Sequence, residues 1–382
     1  MEGIPRGFRS LFKSLQDLRG AWCTFNGVYL LGMLFIPVVL AAFAAWRFPD
    51  TITWKEFLLQ LAVQTAFITG GYYIAKYQSL SSTEHLNGRI IAKTHNSESC
   101  CHCRTVCDAR DKKGNCTSSH EVCDHIVDYR WDLKTSVGSI NIDKCEPFAF
   151  NVPKVWAQAR VGEPSSVEHS YQNYLKGDEQ SLLVHKELDQ FQVPPFPEIY
   201  GFYKVNPVMG PAPANWQDAF REINADLGAS KQVDVTLLVT SVQDPTYAQA
   251  VEAQWLYGPK NSLNIVIGVL DGSITWARVV TISKVEDLKI YLRDELQGKK
   301  FTDDIPGIVR IAVKERFHRT AMAEYEYLAR NATPSTGWLI GLYILGLLVA
   351  AGLSILMHRR DIFGEERRGF QFGTNYGRKY RR

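Results

Sequence analysis

Two stretches of the sequence are apolar over the length of a membrane span. Residues 27–46 and 337–357 contain no charged side chain, and basic residues follow both of them. A helix of about twenty residues crosses the roughly 30 Å hydrocarbon core of a bilayer. Residues 57–75 are also apolar, but Gln60 and Gln64 on one helix face interrupt them, so this stretch either spans the membrane, packs on the first span or lies in the interface. The pattern therefore predicts two or three transmembrane helices.

Between the spans, shorter apolar runs predict a folded aqueous region. Alternating or continuous apolar positions indicate strands, and helical periodicity indicates helices. The predicted strands are 88–93, 127–134, 140–142, 148–152, 233–240, 263–270 and 273–282, and the predicted helices are 216–227, 246–256, 284–296 and 308–330. From residue 216 the order α-β-α-β-β-α is typical of a layered α/β domain.

These patterns divide the chain into eight segments and predict a membrane-anchored α+β protein. In chain order they are a basic amphipathic arm (1–26), one or two transmembrane helices (27–76), a Cys-rich β-containing module with a connector (77–192), a Pro-rich linker (193–215), the layered α/β domain (216–300), a helix leading to the membrane (301–334), a transmembrane helix (335–358) and a basic tail (359–382).

Charge placement predicts the orientation of the chain. The tail contains eight basic residues: Arg359, Arg360, Arg367, Arg368, Arg378, Lys379, Arg381 and Arg382. Clustered basic residues stay on the cytoplasmic side, so residues 77–334 are expected to be exoplasmic whether two or three spans exist. We expect the tail to bind anionic lipid headgroups; its interleaved aromatic residues make nucleic-acid binding the alternative.

Seven of the eight cysteines lie close together: Cys100, Cys101, Cys103, Cys107, Cys116, Cys123 and Cys145. The segment around them is otherwise polar and cannot build an apolar core, so covalent or metal cross-links are needed to order it. An exoplasmic location favours disulfides, and the spacing is not that of a standard zinc finger. A zinc site that includes histidines is the alternative, with four candidates: His95, His102, His120 and His125. Seven is odd, so one thiol is left over, either Cys145 or one that pairs between chains.

Sequence motifs typical of enzymes are not found. The chain has no G-x-S-x-G, Walker, G-x-G-x-x-G or H-E-x-x-H pattern. The acids near predicted strand ends in the α/β domain are Asp234, Asp244 and Asp271, and they are the candidate metal ligands there.

One stretch resembles the TPM domain, which occurs in thylakoid photosystem-repair proteins and in bacterial membrane-anchored proteins. It reads TYAQAVEAQWLYG at 246–258 and KNSLNIVIG at 260–268, and the likeness extends over residues 216–298. The resemblance implies a layered α/β fold and an association with phosphatase activity, divalent-metal binding or assistance to membrane complexes. The strand after Asp271 and Gly272 lacks the G-x-G ending and the acidic neighbours usual in the family.

The upstream half resembles uncharacterised membrane proteins of phages and some bacteria. The likeness lies in STEHLNG at 82–88, the cysteine run, and ARVGEPSSVEHSYQNY at 159–174. It implies a prokaryotic inner membrane with the domain in the periplasm.

Together these features predict a membrane-anchored, non-enzymatic protein whose exoplasmic domain binds a partner or supports a membrane assembly. The expected partners are the bilayer, an unidentified protein and, as an alternative, a second copy of the chain. No cofactor is expected apart from zinc at the Cys/His cluster. Two further hypotheses are a metal-dependent phosphatase or hydrolase in the TPM-like domain, and a zinc module with a nucleic-acid-binding tail.

Overall fold

The computed structural model describes residues 25–47, 53–178, 188, 190–255 and 260–359, which fall into two compact units. The helical unit contains the described residues up to 81, residues 174–178 and residues 325–359. The α+β unit contains residues 82–173 and the described part of 182–324. Nearly all of the predicted basic arm (1–26) and of the predicted basic tail (359–382) lies outside the described residues.

Three long helices form the helical unit: α1 (Phe25–Arg47), α2 (Trp54–Ser79) and α8 (Thr336–Arg359). Thr53 and Glu56 begin α2 with a capping box, in which each side chain accepts a hydrogen bond from the backbone N–H of the other. By length and composition, α2 and α8 could each cross a membrane, and the apolar part described for α1 is the shorter stretch Gly32–Arg47. The structure therefore contains two candidate membrane spans among its described helices.

Polar residues of α2 face α8. Gln60 is buried, and its Nε2 donates hydrogen bonds to the Ala350 carbonyl at 3.2 Å and to Ser354 Oγ at 2.8 Å. Gly71 lies against Leu342 so closely that a Cβ atom would collide with it. Small residues and interhelical hydrogen bonds of this kind hold apolar helices together. Gln60 is thus a contact with α8, and α2 also packs on α1, the first predicted span, through Met33.

A first sheet of the α+β unit has the strand order β5-β4-β1-β6. Its strands are β1 (Ser81–Ser99), β4 (Val127–Thr135), β5 (Ser139–Glu146) and β6 (Pro164–Gln172), and the short helix α3 (Lys154–Gln158) follows β5. Trp131 and Leu133, which the alternating pattern places on the buried face, are buried together with Ile90 and Ile140 of the neighbouring strands. This small core orders the sheet from which the Cys-rich segment leaves and to which it returns.

The Cys-rich segment forms a separate hairpin of two antiparallel strands, β2 (Cys103–Arg110) and β3 (Cys116–Cys123). The sequence predicts a loop here because no apolar alternation is present. None of the sixteen residues in these two described strands is buried. The strands therefore depend on their cross-links and on main-chain hydrogen bonds.

A second sheet has the strand order β10-β9-β8-β7 and is covered by helices. Its strands are β7 (Val208–Met209), β8 (Asp234–Thr240), β9 (Ser262–Leu270) and β10 (Ser273–Val280), and the helices are α4 (Ala214–Lys231), α5 (Tyr247–Trp255), α6 (Glu286–Leu296) and α7 (Ile305–Arg316). Strands β7, β8 and β9 are parallel, and β10 returns antiparallel after Asp271 and Gly272, both of which have positive φ. The α-β-α-β-β-α order predicted from the sequence is confirmed.

The second sheet carries the main core of the α+β unit. Every residue of β8 is buried, as expected for a parallel strand covered on both faces. One face packs on α4, α6 and α7 through residues such as Phe220, Leu288 and Val309, and the other packs on α5 through Val251 and Trp255.

Three segments differ from the sequence prediction. The helix expected over 308–330 is divided, because α7 ends at Arg316 and a 3₁₀ helix covers Met322–Arg330. Between them Phe317 is buried and Arg319 binds Glu84, and these tertiary contacts draw the chain out of the helix. Residues 148–152 form no strand, and β6 lies within residues 161–190, which the sequence predicts to be a polar connector.

Candidate functional site

Six of the seven clustered cysteines form three disulfide bonds: Cys101–Cys145, Cys103–Cys123 and Cys107–Cys116. The first joins the segment before β2 to β5. The second closes the open end of the β2–β3 hairpin, and the third joins its two strands nearer the turn. The predicted disulfide framework is confirmed.

The free thiol in this segment is Cys100. Of the two alternatives for the leftover thiol, Cys145 is wrong, because it pairs with Cys101. Cys100 and Cys103 have C-x-x-C spacing, but they do not pair with each other. The register of the hairpin sets Cys103 directly opposite Cys123, so that Cys103 is already cross-linked across the strands.

Four residues lie together where the hairpin joins the first sheet, and we call them the basal cluster: Cys100, His102, His125 and Asp128. One donor atom each of Cys100, His125 and Asp128 lies within 4.8 Å of the other two. The His125 imidazole contacts the Asp128 carboxylate directly, and His102 Nδ1 lies 3.8 Å from Asp128 Oδ2. The two imidazole rings are 5.5 Å apart, measured between centroids. The cluster thus brings a thiol, two imidazoles and a carboxylate to one point.

Asp128 is the buried centre of this cluster. Its side chain has no exposed surface, and the backbone N–H of Cys101 donates a 2.5 Å hydrogen bond to its Oδ2. Burial alone would raise the pKa of Asp128, but the hydrogen bonds from Cys101 and His125 and the nearby imidazoles hold that pKa below its ordinary value. Among the described residues, no lysine or arginine pairs with this carboxylate.

The other two candidate histidines have different roles. His95 stacks on Trp131 with ring centroids 3.9 Å apart. His120 is exposed on β3 and its Nδ1 lies 2.6 Å from Asp108 Oδ1. The four candidate histidines near the cysteines therefore separate into two that join the basal cluster and two that do not.

A cavity of about 360 Å³ lies elsewhere in the α+β unit, between the start of β6, residues 203–207 and α4. Its inner residues are polar and buried, and Ser166 Oγ donates a 2.5 Å hydrogen bond to Asn87 Oδ1. Nearby, Tyr203 donates a 3.1 Å hydrogen bond to Glu163, and burial together with that carboxylate raises the pKa of Tyr203. Its lining combines hydroxyl, amide and charged side chains, so the cavity offers hydrogen bonds to a small polar molecule.

Glu84 of β1 forms a buried ion-pair network between the two sheets. Arg319 donates two hydrogen bonds of 2.9 Å to its carboxylate, and His169 Nδ1 and Lys260 Nζ lie 3.1 Å and 3.7 Å from Oε1. Burial lowers the pKa of Lys260, while Glu84 opposes that shift. Buried ions are tolerated when several partners satisfy them, so this network holds β1 against the second sheet.

The three acids predicted as metal candidates do not lie together. Asp234 begins β8, whereas Asp244 follows the end of β8 and Asp271 is in the β9–β10 turn. At 3.3 Å per residue, β8 separates Asp234 at its start from the end of the strand, which Asp244 follows, by about 20 Å. Asp234 is buried and accepts a 2.8 Å hydrogen bond from Asn87, and Asp244 accepts one of 2.9 Å from the Thr246 N–H. Asp234 therefore has a structural role between the sheets, and Asp244 caps a turn.

Sequence reasoning missed Glu84 and Asp128. Asp128 does have a local signal, because it is an acid next to the apolar positions of a predicted strand and lies three residues after His125. Glu84 has none, since its partners Arg319 and Lys260 are distant in sequence.

Comparisons with protein-family models, curated proteins and solved structures gave no match. The resemblances to TPM domains and to phage and bacterial membrane proteins therefore rest on the sequence segments quoted above.

Proposed function

We propose that the chain is a membrane-anchored protein whose α+β unit is exoplasmic and binds a protein partner, or supports a membrane assembly, through the β2–β3 hairpin. The apolar helices α2 and α8 support the anchoring, since each has the length and composition of a span. In a prokaryote the exoplasmic compartment would be the periplasm, as the resemblance to phage and bacterial membrane proteins suggests.

The exoplasmic location is supported by two independent features. Disulfides form and persist in oxidising compartments, and the α+β unit contains three of them. The basic tail that follows α8 favours a cytoplasmic C-terminus and would bind anionic lipid headgroups there.

The observation that carries the binding proposal is the exposure of the cross-linked hairpin. Twelve of its sixteen strand residues are exposed, so the disulfides hold a surface in place that the described part of the chain does not cover. Ile126, just beyond β3, is 91% exposed and adds an apolar side chain to this surface. A rigid surface loses little conformational entropy when it binds.

We further propose that residues 216–300 form a TPM-like module. The α4-β8-α5-β9-β10-α6 order supports this assignment, and assistance to membrane complexes is the family role that fits it. Asp234 lies about 20 Å along β8 from the end of the strand that Asp244 follows, so the three acids do not support one shared metal centre.

Thiol labelling in intact cells tests the orientation. A cysteine replaces exposed Glu295 of α6 or Gly373 of the tail, in a background in which Cys23 and Cys100 are serine. A membrane-impermeant maleimide is expected to label Glu295→Cys before lysis and Gly373→Cys only after lysis. The reverse result would place the α+β unit in the cytoplasm.

Photo-crosslinking tests the binding surface. A photoreactive residue is placed at Thr105, Glu121 or Ile126 of the full chain in its membrane, and at Glu295 as the matched exposed control. We expect a discrete adduct from the three hairpin positions that is lost after reduction of the disulfides. An adduct of twice the chain mass would identify a second copy as the partner. Equal adducts at Glu295, or none at the hairpin, would contradict the proposal.

A further inference from the structure

We propose that the basal cluster binds one divalent transition-metal ion, and that zinc is the ion its donors suit best. The donors are the Cys100 thiolate, one nitrogen each of His102 and His125, and a carboxylate oxygen of Asp128. This inference does not depend on the proposed partner, because it concerns the base of the hairpin and not its exposed faces.

Asp128 is the first reason. A buried carboxylate is normally paired with a cation or coordinates a metal. Asp128 is fully buried, and the described groups around its carboxylate are two imidazoles and one backbone N–H. With both imidazoles neutral, as metal ligands are, an ion bound between them and the carboxylate would supply the positive charge that balances Asp128.

The donor set is the second reason. Zinc combines cysteine sulfur, histidine nitrogen and carboxylate oxygen in four-coordinate sites, whereas calcium and magnesium prefer oxygen alone. Cys100, His125 and Asp128 already offer donor atoms within 4.8 Å of one another, and His102 Nδ1 lies 3.8 Å from the carboxylate. Small side-chain rotations would bring these four donors around a single ion.

The surrounding backbone is the third reason. Cys100 and His102 precede β2, and His125 and Asp128 follow β3, so the four donors come from the two chain segments that meet at the base of the hairpin. The Cys103–Cys123 disulfide joins these segments, and Cys101–Cys145 fixes the residue between Cys100 and His102. The Cys101 N–H in turn orients Asp128. Such outer contacts are what hold metal ligands in place.

Binding releases protons and involves no change of oxidation state. The Cys100 S–H bond breaks, its proton goes to solvent, and the thiolate forms a bond to the metal, while each imidazole binds through a neutral nitrogen. With four protein donors the site would be closed, as in structural zinc sites, and would reinforce the base of the hairpin.

Cobalt(II) provides the spectroscopic test. The full chain is purified in detergent without reductant, stripped with a chelator and titrated with Co²⁺ in place of Zn²⁺. We expect a thiolate-to-cobalt charge-transfer band and intense visible bands of tetrahedral cobalt, both saturating at one ion per chain and both displaced by Zn²⁺. A titration without these bands would overturn the proposal.

Three variants identify the ligands. Cys100→Ser should abolish the charge-transfer band, and Asp128→Asn should weaken the affinity by at least the roughly 10- to 100-fold that the loss of an outer-shell contact costs. His120→Ala is the matched control, because it removes a histidine of the same hairpin that lies outside the cluster. A band that persists in Cys100→Ser, or that disappears in His120→Ala, would contradict the assignment. Peptide mapping of the three disulfides shows that each variant has folded.

Thiol alkylation gives a second readout without cobalt. In the native chain, zinc should protect Cys100 from a maleimide at the peptide level, and Cys23 serves as the internal reference. Cys100 lies close to the sulfurs of Cys103 and Cys123. Recovery of Cys100 in a disulfide with either of them would show thiol–disulfide exchange and overturn the metal site.

Discussion

The second sheet and the β2–β3 hairpin order their backbones by different means. In the sheet, β8 is buried along its whole length beneath helices on both faces. In the hairpin, none of the described strand residues is buried, and two disulfides join the strands. Apolar burial stabilises the folded state directly, whereas a cross-link acts mainly by restricting the unfolded chain. The hairpin can therefore leave its side chains free for contacts outside the chain, and the sheet cannot.

The largest expected effect comes from the apolar core. Phe220→Ala removes a fully buried ring of α4 and should cost about 3–5 kcal/mol in the free energy of unfolding, because it leaves a cavity that the core fills only partly. Hydrogen exchange of β8 and β9 amides measures the loss. The control Thr105→Ala, on the exposed hairpin, should change that free energy by less than about 0.5 kcal/mol. Comparable losses from the two substitutions would remove the contrast between the regions.

The second expected effect is confined to the hairpin and leaves the second sheet unchanged. The double variant Cys103→Ser with Cys123→Ser should destabilise the hairpin by about 2–5 kcal/mol, since no apolar core compensates for the lost cross-link. We expect rapid exchange of β2 and β3 amides and new protease cleavage in residues 101–126, with β8 and β9 unchanged. If the hairpin amides keep their protection, the disulfide is not what orders it.

The second sheet was largely predictable from the sequence because its order follows from local patterns. The apolar runs at 233–240 and 263–270 are continuous, and Asp271 and Gly272 have the chemistry of a tight hairpin turn. The fold class and the presence of disulfides were also predictable, since neither depends on a particular long-range pairing.

The hairpin, β1 and the basal cluster were harder to predict from the sequence. The hairpin strands have no apolar alternation, so their pairing depends on cysteines whose connectivity a sequence does not specify. The first half of β1 is polar because Glu84 and His85 bind partners contributed by distant segments, such as Arg319 and Asp234. The same contact of Arg319 ends the helix that periodicity would have continued past Arg316.

A smaller effect is expected at the junction of the two sheets. Gly228 of α4 lies directly against the backbone of Asn87 in β1, so a Cβ atom there would collide with it. Gly228→Ala should destabilise the α+β unit by about 1–3 kcal/mol, as overpacking does, despite the better helix propensity of alanine. The neighbouring exposed Ser230→Ala serves as the control. A stability equal to that of the parent, measured by denaturant unfolding, would mean that β1 and α4 separate easily.

The smallest effect depends on pH. Burial lowers the pKa of His85, but the Asp234 carboxylate 3.4 Å away and the charges of Glu168 and Glu198 outweigh burial, so the folded-state pKa lies above the ordinary 6.5. Because the folded state holds this proton more tightly, His85 contributes stability that is complete below pH 6.5 and is lost as the pH rises through the folded-state value.

Hydrogen exchange of the β1 amides, measured from pH 5.5 to 8.5, tests whether stability falls or rises with pH. The parent should lose stability with rising pH, and His85→Gln should flatten that slope, whereas His120→Ala on the exposed hairpin should preserve it. A stability that increases with pH in the parent and not in His85→Gln would show that His85 is held neutral instead.

The three disulfides are nested, and this has a consequence for how the chain oxidises. Cys107–Cys116 spans 9 residues, Cys103–Cys123 encloses it over 20, and Cys101–Cys145 encloses both over 44. No pair crosses another, so the bonds can form from the inside outward without threading the chain through a closed loop. Each closure also shortens the next loop, which lowers the entropy lost in closing it. The innermost bond, Cys107–Cys116, can therefore form first at the tip of the hairpin, and each later bond encloses the one before it.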